Sequence, residues 1–100
     1  MKINTDKVKT YIGFAIKSRK IKFGVDDIVK SKNAGIIIVS ELLADSGMRK
    51  IERFANRNLV ELIKLTEIEF LELVQNVSIK ALAVLDENLA EAIKKNLTNI

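Results

Sequence analysis

The sequence contains no cysteine, no histidine, no proline and no tryptophan. Without cysteine there is no disulfide framework and no thiolate nucleophile; without histidine there is no Ser-His-Asp triad and no imidazole base. Zinc and haem sites built on those two residues are excluded with them. Long apolar runs are missing too. The longest uninterrupted stretch, 34–39, includes a glycine and falls far short of the ~20 residues of a membrane span. The opening Met1-Lys2-Ile3-Asn4-Thr5-Asp6-Lys7 leads into no apolar core of a secretory signal. These absences together lead us to expect a soluble, cytoplasmic protein with no membrane partner. Glycine is scarce, at positions 13, 24, 35 and 47, and no two glycines have the spacing of a phosphate loop or a dinucleotide fingerprint.

What is present is a chain able to fold. At 100 residues, 48% hydrophobic and 30% charged, it falls outside the disordered class and suits one domain over 1–100. Surface scaling lets a chain of this size bury about 65% of its unfolded surface. Charge is uneven. Residues 1–50 carry eleven Lys and Arg against five Asp and Glu, whereas residues 51–100 carry six against eight. The excess gathers in Lys17, Arg19, Lys20, Lys22, Lys30 and Lys32, faced only by Asp26 and Asp27. Clustered positive charge suits a polyanion, because phosphate attraction supplies most sequence-independent binding to nucleic acid. An ordinary solubilising surface is the alternative.

Apolar Val8, Tyr11, Ile12, Ala15 and Ile16 recur at helical spacing and predict a helix over about 6–18, capped by Thr5. Ile21-Lys22-Phe23 alternates and meets Gly24, which predicts a short strand and a tight turn. A second helix is expected from Val25 to about Lys32, with Asp26 and Asp27 at its start and Lys30 and Lys32 at its end. Ile36-Ile37-Ile38-Val39 is apolar on both faces, so it reads as a central strand covered on both sides. A third helix begins at Asp45 or Ser46, buries Met48, Ile51, Phe54 and Ala55, and ends at Asn56-Arg57-Asn58. Strands are then expected over 59–65 and 79–85. Between them lies a fourth helix, about 67–75, opened by Thr66 and Glu69 at capping-box spacing. Asp86 caps a last helix with Leu89, Ala90, Ile93 and Leu97 on one side. Alternating helices and strands predict a three-layer α/β/α sandwich over a mainly parallel sheet.

Few residues could carry chemistry. Asp26-Asp27, Asp45 and Asp86-Glu87 could hold magnesium, but each stands at an expected helix start, where acids serve capping and the dipole. Arg49, Arg53 and Arg57 form one basic stripe at i, i+4 and i+8, either a solvated face or a phosphate track. Between Lys20 and Lys32 several features coincide: a strand ending at a glycine, a helix terminus with free N–H groups, and flanking lysines. Gly24 has no side chain, so a backbone or base edge could come close.

At these residues the chain resembles a known family. Gly24-Val25-Asp26-Asp27-Ile28-Val29-Lys30 looks like the Gly-x-Asn-Glu-x-x-Lys signature of the kink-turn-binding ribosomal proteins, the L-seven-Ae and L-thirty-e superfamily. The likeness is closer to the bacterial YlxQ-type members, through Tyr11-Ile12-Gly13-Phe14-Ala15, the basic run after it, and Ala34-Gly35-Ile36-Ile37-Ile38-Val39-Ser40-Glu41. It covers roughly residues 6–97. It implies an α/β/α sandwich around a four-stranded mixed sheet, with the Gly24 helix terminus entering an RNA groove at tandem sheared G·A pairs. Two departures stand beside it. Asp26 replaces the family's Asn and cannot donate, and Asp27 replaces Glu with one methylene less. Leu71 and Gln75 replace both glycines of the family's second RNA-facing segment, and are expected to lengthen the fourth helix. The resemblance implies a non-enzymatic RNA-binding protein without a cofactor, associated with the ribosome or translation. Structured RNA, ribosomal or kink-turn, would be its partner, alongside ribosome-associated proteins, and its RNA site would comprise Lys20, Lys22, Gly24, Asp26, Asp27, Lys30 and Lys32. The alternatives are a protein-interaction module of the same fold that has lost its RNA contacts, and a small magnesium-dependent enzyme.

Overall fold

The computed structural model describes residues 3–97; Met1 and Lys2 of the opening stretch lie outside it. Nine elements follow in order: α1 (Thr5–Lys17), β1 (Ile21–Phe23), α2 (Val25–Val29), β2 (Ile36–Ser40), α3 (Asp45–Asn58), β3 (Glu61–Leu65), α4 (Glu67–Val74), β4 (Ala81–Val84) and α5 (Glu87–Leu97). The strands form one mixed sheet in the order β1-β4-β2-β3. β2 and β3 are parallel, whereas β4 runs antiparallel to both β1 and β2. The expected sandwich and the four-stranded mixed sheet implied by the resemblance are both found, whereas the mainly parallel sheet expected from the alternation of elements alone is corrected. The reason lies in α4. Its eight residues rise only about 12 Å, and the chain then turns back, so that the Ser40 N–H at the end of β2 donates to the Lys80 carbonyl just before β4. β4 therefore enters the sheet from the end at which β3 left it.

Every residue of β2 and β4 is buried, because helices cover both faces. One face packs Ile36, Ile38, Leu82 and Val84 under α1, α4 and α5; the other packs Ile37, Val39, Ala81 and Ala83 under α2 and α3. Period-two alternation explains how one apolar run feeds two cores. On edge strand β1, Ile21 and Phe23 pack towards the α1 side, so Lys22 points to the α2/α3 side.

Several element ends differ from the sequence reading. Asn4, not Thr5, caps α1 by accepting from the Lys7 N–H. α2 stops at Val29, and the Ser31 hydroxyl donates to the Ile28 carbonyl. Leu59 belongs to no strand: it adopts a left-handed φ of 55° and closes α3. Gln75, at φ 60°, ends α4 rather than lengthening it. Thr66 with Glu69 makes the expected capping box, and Asp86 Oδ1 accepts from the Leu89 N–H at the start of α5.

Candidate nucleic-acid interface

The strand register fixes where each expected site residue stands. β1, β2 and β3 all end at one edge of the molecule. There the Gly24 N–H donates to the Ala81 carbonyl at 3.0 Å. Gly24 is exposed, and an added Cβ would meet nothing within 4 Å. Its φ of 86° and ψ of 152° lie in a region open essentially to glycine alone, so the backbone itself demands this residue. The helix that follows has only five residues, too few to build much of a macrodipole.

The lysines are not gathered around this turn. The Lys20 carbonyl accepts from the Leu85 N–H at the opposite end of the sheet, four extended residues or about 13 Å from Gly24. Lys32 lies in the segment leading into β2, where the Gly35 N–H donates to the Val84 carbonyl, and so belongs to that far end as well. Lys22 and Lys30 stand between the two ends, on the α2/α3 side, with Lys30 capping α2. The groups nearest the Gly24 turn are acidic instead. Asp26 and Asp27 open α2, Glu41 follows β2, Asp45 opens α3, and Glu67 and Glu69 open α4. Of the lysines at this end, Lys80 is paired with Glu67 at 2.6 Å, while exposed Lys64, beside Val39 near the end of β3, is in no ion pair among the described residues.

That pair is part of a small polar network. The hydroxyl of fully buried Ser40 donates to Glu67 Oε1 and accepts from the Leu42 N–H, while Lys80 Nζ also donates to the Val77 carbonyl at 2.6 Å. Lys80's hydrogen bond, and then Ser40's, hold the Glu67 carboxyl below its ordinary value against the opposing effect of desolvation. The network ties the ends of β2 and β3 to the segment 75–80. Leu42 and Val77, whose backbones bond to it, and Ile68, which follows Glu67, are exposed by 59%, 70% and 73%. Leu71, at the first replaced glycine, is half-buried within α4.

The cationic surface that does form lies across α2 and α3. At 100° per residue, Lys50, Arg53 and Arg57 fall within an arc of about 60° on α3, on the flank facing α2. With Val29 and Phe54 they line a hollow of about 350 Å³. Phe54 also lines a second hollow of about 430 Å³, together with Ser31, Lys32, Asn33 and Asn58. Among the described residues none of Lys22, Lys30, Lys32, Lys50, Arg53 or Arg57 is in an ion pair. The sequence stripe named Arg53 and Arg57 but missed Lys50. Its signal was the i, i+3, i+7 spacing of 50, 53 and 57, which brings the three closer together than Arg49, Arg53 and Arg57. No group of three metal-ligating side chains occurs among the described residues, and no described helix is long and apolar enough to cross a membrane.

Comparison with known protein families and with curated proteins returns no match. Among solved structures, the chain is similar to a protein of unknown function from Bacillus halodurans. The two share 13% identity over 88% of this chain and 93% of that one, with a TM-score of 0.74. Two sequences this different reach one architecture, and what the comparison establishes for this chain is its fold.

Proposed function

We propose that this chain is a non-enzymatic, cytoplasmic RNA-binding protein of the ribosome- or translation-associated kind, holding structured RNA by its backbone on the α2/α3 face. One observation carries the reading: Lys22, Lys30, Lys32, Lys50, Arg53 and Arg57 share that face without forming ion pairs among the described residues. Unneutralised cations on one side attract phosphates and release their counterions. The resemblance noted in the sequence favours the same partner class. The Gly24 turn, with its acidic surroundings, has a lesser part in this reading.

Titration of a labelled RNA hairpin at several salt concentrations tests the proposal. Log affinity should fall linearly with log salt, at about 0.7–0.9 per phosphate contact, and Arg53→Ala should reduce that slope by about one contact. Affinity independent of salt, or no binding at low salt, would refute it.

A second reading is favoured by exposed Leu42, Ile68 and Val77 at the Gly24 end: a protein-interaction module. Pull-down from RNase-treated lysate separates the two readings. A stoichiometric partner that survives RNA destruction and is lost on Ile68→Lys supports the second.

A further inference from the structure

The two hollows that share Phe54 in their lining differ in chemistry. The first is walled by three cations, Lys50, Arg53 and Arg57. The second is walled by the hydroxyl and amide residues Ser31, Asn33 and Asn58 together with one cation, Lys32, and the apolar Ala34 and Val60. Asn58 donates through Nδ2 to the Phe54 carbonyl at 2.9 Å, which fixes its amide and leaves Oδ1 as an acceptor. Asn33 holds a left-handed φ of 65°, a conformation asparagine tolerates, and its side chain makes no hydrogen bond among the described residues. Phe54, half-buried, lines both hollows.

A nucleotide divides in the same way. Its phosphate asks for cations, and its base for an apolar surface and directional donors and acceptors. Single-stranded sites combine a positive groove with an aromatic side chain on which a base rests, whereas a paired base keeps its edge occupied and its faces covered. An acidic peptide would use the cationic hollow but leave the amide-lined one unexplained. We propose that the paired hollows form a site for one unpaired nucleotide of an RNA strand. Lys50, Arg53 and Arg57 take the phosphate, Phe54 supports the base, and the Asn33 and Asn58 amides meet its edge. The inference rests on the RNA-binding reading and gives it a substrate class: RNA interrupted by bulged or looped-out residues.

Fluorescence anisotropy with two hairpins, alike except for one single-nucleotide bulge, tests it on the full chain. Wild type should bind the bulged hairpin about tenfold more tightly. Phe54→Leu should bring the bulged hairpin down to the affinity of the paired one. Arg53→Ala should weaken both alike. Because Phe54 also packs against the core, Asn33→Gly is the second variant: it keeps the left-handed backbone, removes the amide, and should shrink the preference without changing the thermal midpoint. Equal binding of both hairpins by wild type, or a preference untouched by both Phe54→Leu and Asn33→Gly, overturns the nucleotide site. The RNA-binding reading then still stands if both hairpins bind with a salt slope. Binding of neither hairpin removes that reading as well. Competition by poly-glutamate equal to that by single-stranded RNA would reduce the hollows to a generic cationic surface and overturn the inference.

Discussion

Single residues of this chain carry conformations that their side chains do not favour. Leu59 closes α3 at φ 55°, with its side chain 93% exposed. A β-carbon in the left-handed region is strained, and glycine is the usual residue at such a helix end. Leu59→Gly should therefore stabilise the fold by about 1 kcal/mol, raising the thermal midpoint by about 4–8 °C; calorimetry showing a fall would mean that Leu59 makes contacts worth more than the strain. Gly35 presents the opposite case. A Cβ there would sit 2.7 Å from the Ala90 Cβ and 3.5 Å from the Asp86 carbonyl, so α5 would have to shift away from the sheet. Gly35→Ala should cost about 1–3 kcal/mol in denaturant unfolding. Neither position could be read from the sequence. Leu59 sits among apolar residues that continue into β3 and reads as part of a strand, while the clash at Gly35 depends on a helix 55 residues away. Asn4 and Thr5 are both good caps, and composition alone does not choose between them.

At the scale of elements, the patterns that do show in sequence are those of local origin. The capping box at Thr66, the Asp86 cap and the two-sided apolar run of β2 all follow from neighbours within a few residues, and all are found. Strand direction is not local. Whether β4 lies parallel or antiparallel depends on how far α4 carries the chain before 75–80 brings it back. The Ser40–Glu67–Lys80 network fastens that return, and its strength depends on pH. Because Lys80 and Ser40 lower the folded-state pKa of Glu67, the stability it contributes is present above the unfolded value of about 4.3 and is lost as pH falls through the lower folded value. Glu67→Gln should be less stable than wild type at pH 7, and the gap should close as pH drops below about 4. Denaturant midpoints for both proteins between pH 7 and 3 test this; a gap constant across the range would mean that the carboxylate's charge has no part in the fastening.

Over the whole molecule, charge separates by position rather than by half of the sequence. The surplus in residues 1–50 does not gather at the Gly24 turn. Lys20 and Lys32 stand at the end of the sheet opposite Gly24, and Lys50, Arg53 and Arg57 join from α3, including two residues of the net acidic second half. The Gly24 end carries Asp26, Asp27, Glu41, Asp45, Glu67 and Glu69 against Lys64 and the paired Lys80, and its excess of carboxylates repels phosphates approaching that turn. A well-made bidentate contact to a base is worth about 1–3 kcal/mol of discrimination, and Asp26 has no donor with which to make one. An RNA held on the α2/α3 face would thus be insensitive to what the Gly24 turn could read. Gel shifts with a kink-turn RNA and with a version changed only at its sheared G·A pairs should give dissociation constants within about twofold of one another, since 1–3 kcal/mol would appear as about fivefold or more. Lys30→Ala should weaken both to the same degree. A tenfold preference for the intact kink-turn would return the RNA to the Gly24 end and require Asp27 and Lys30 to read it despite the surrounding acids.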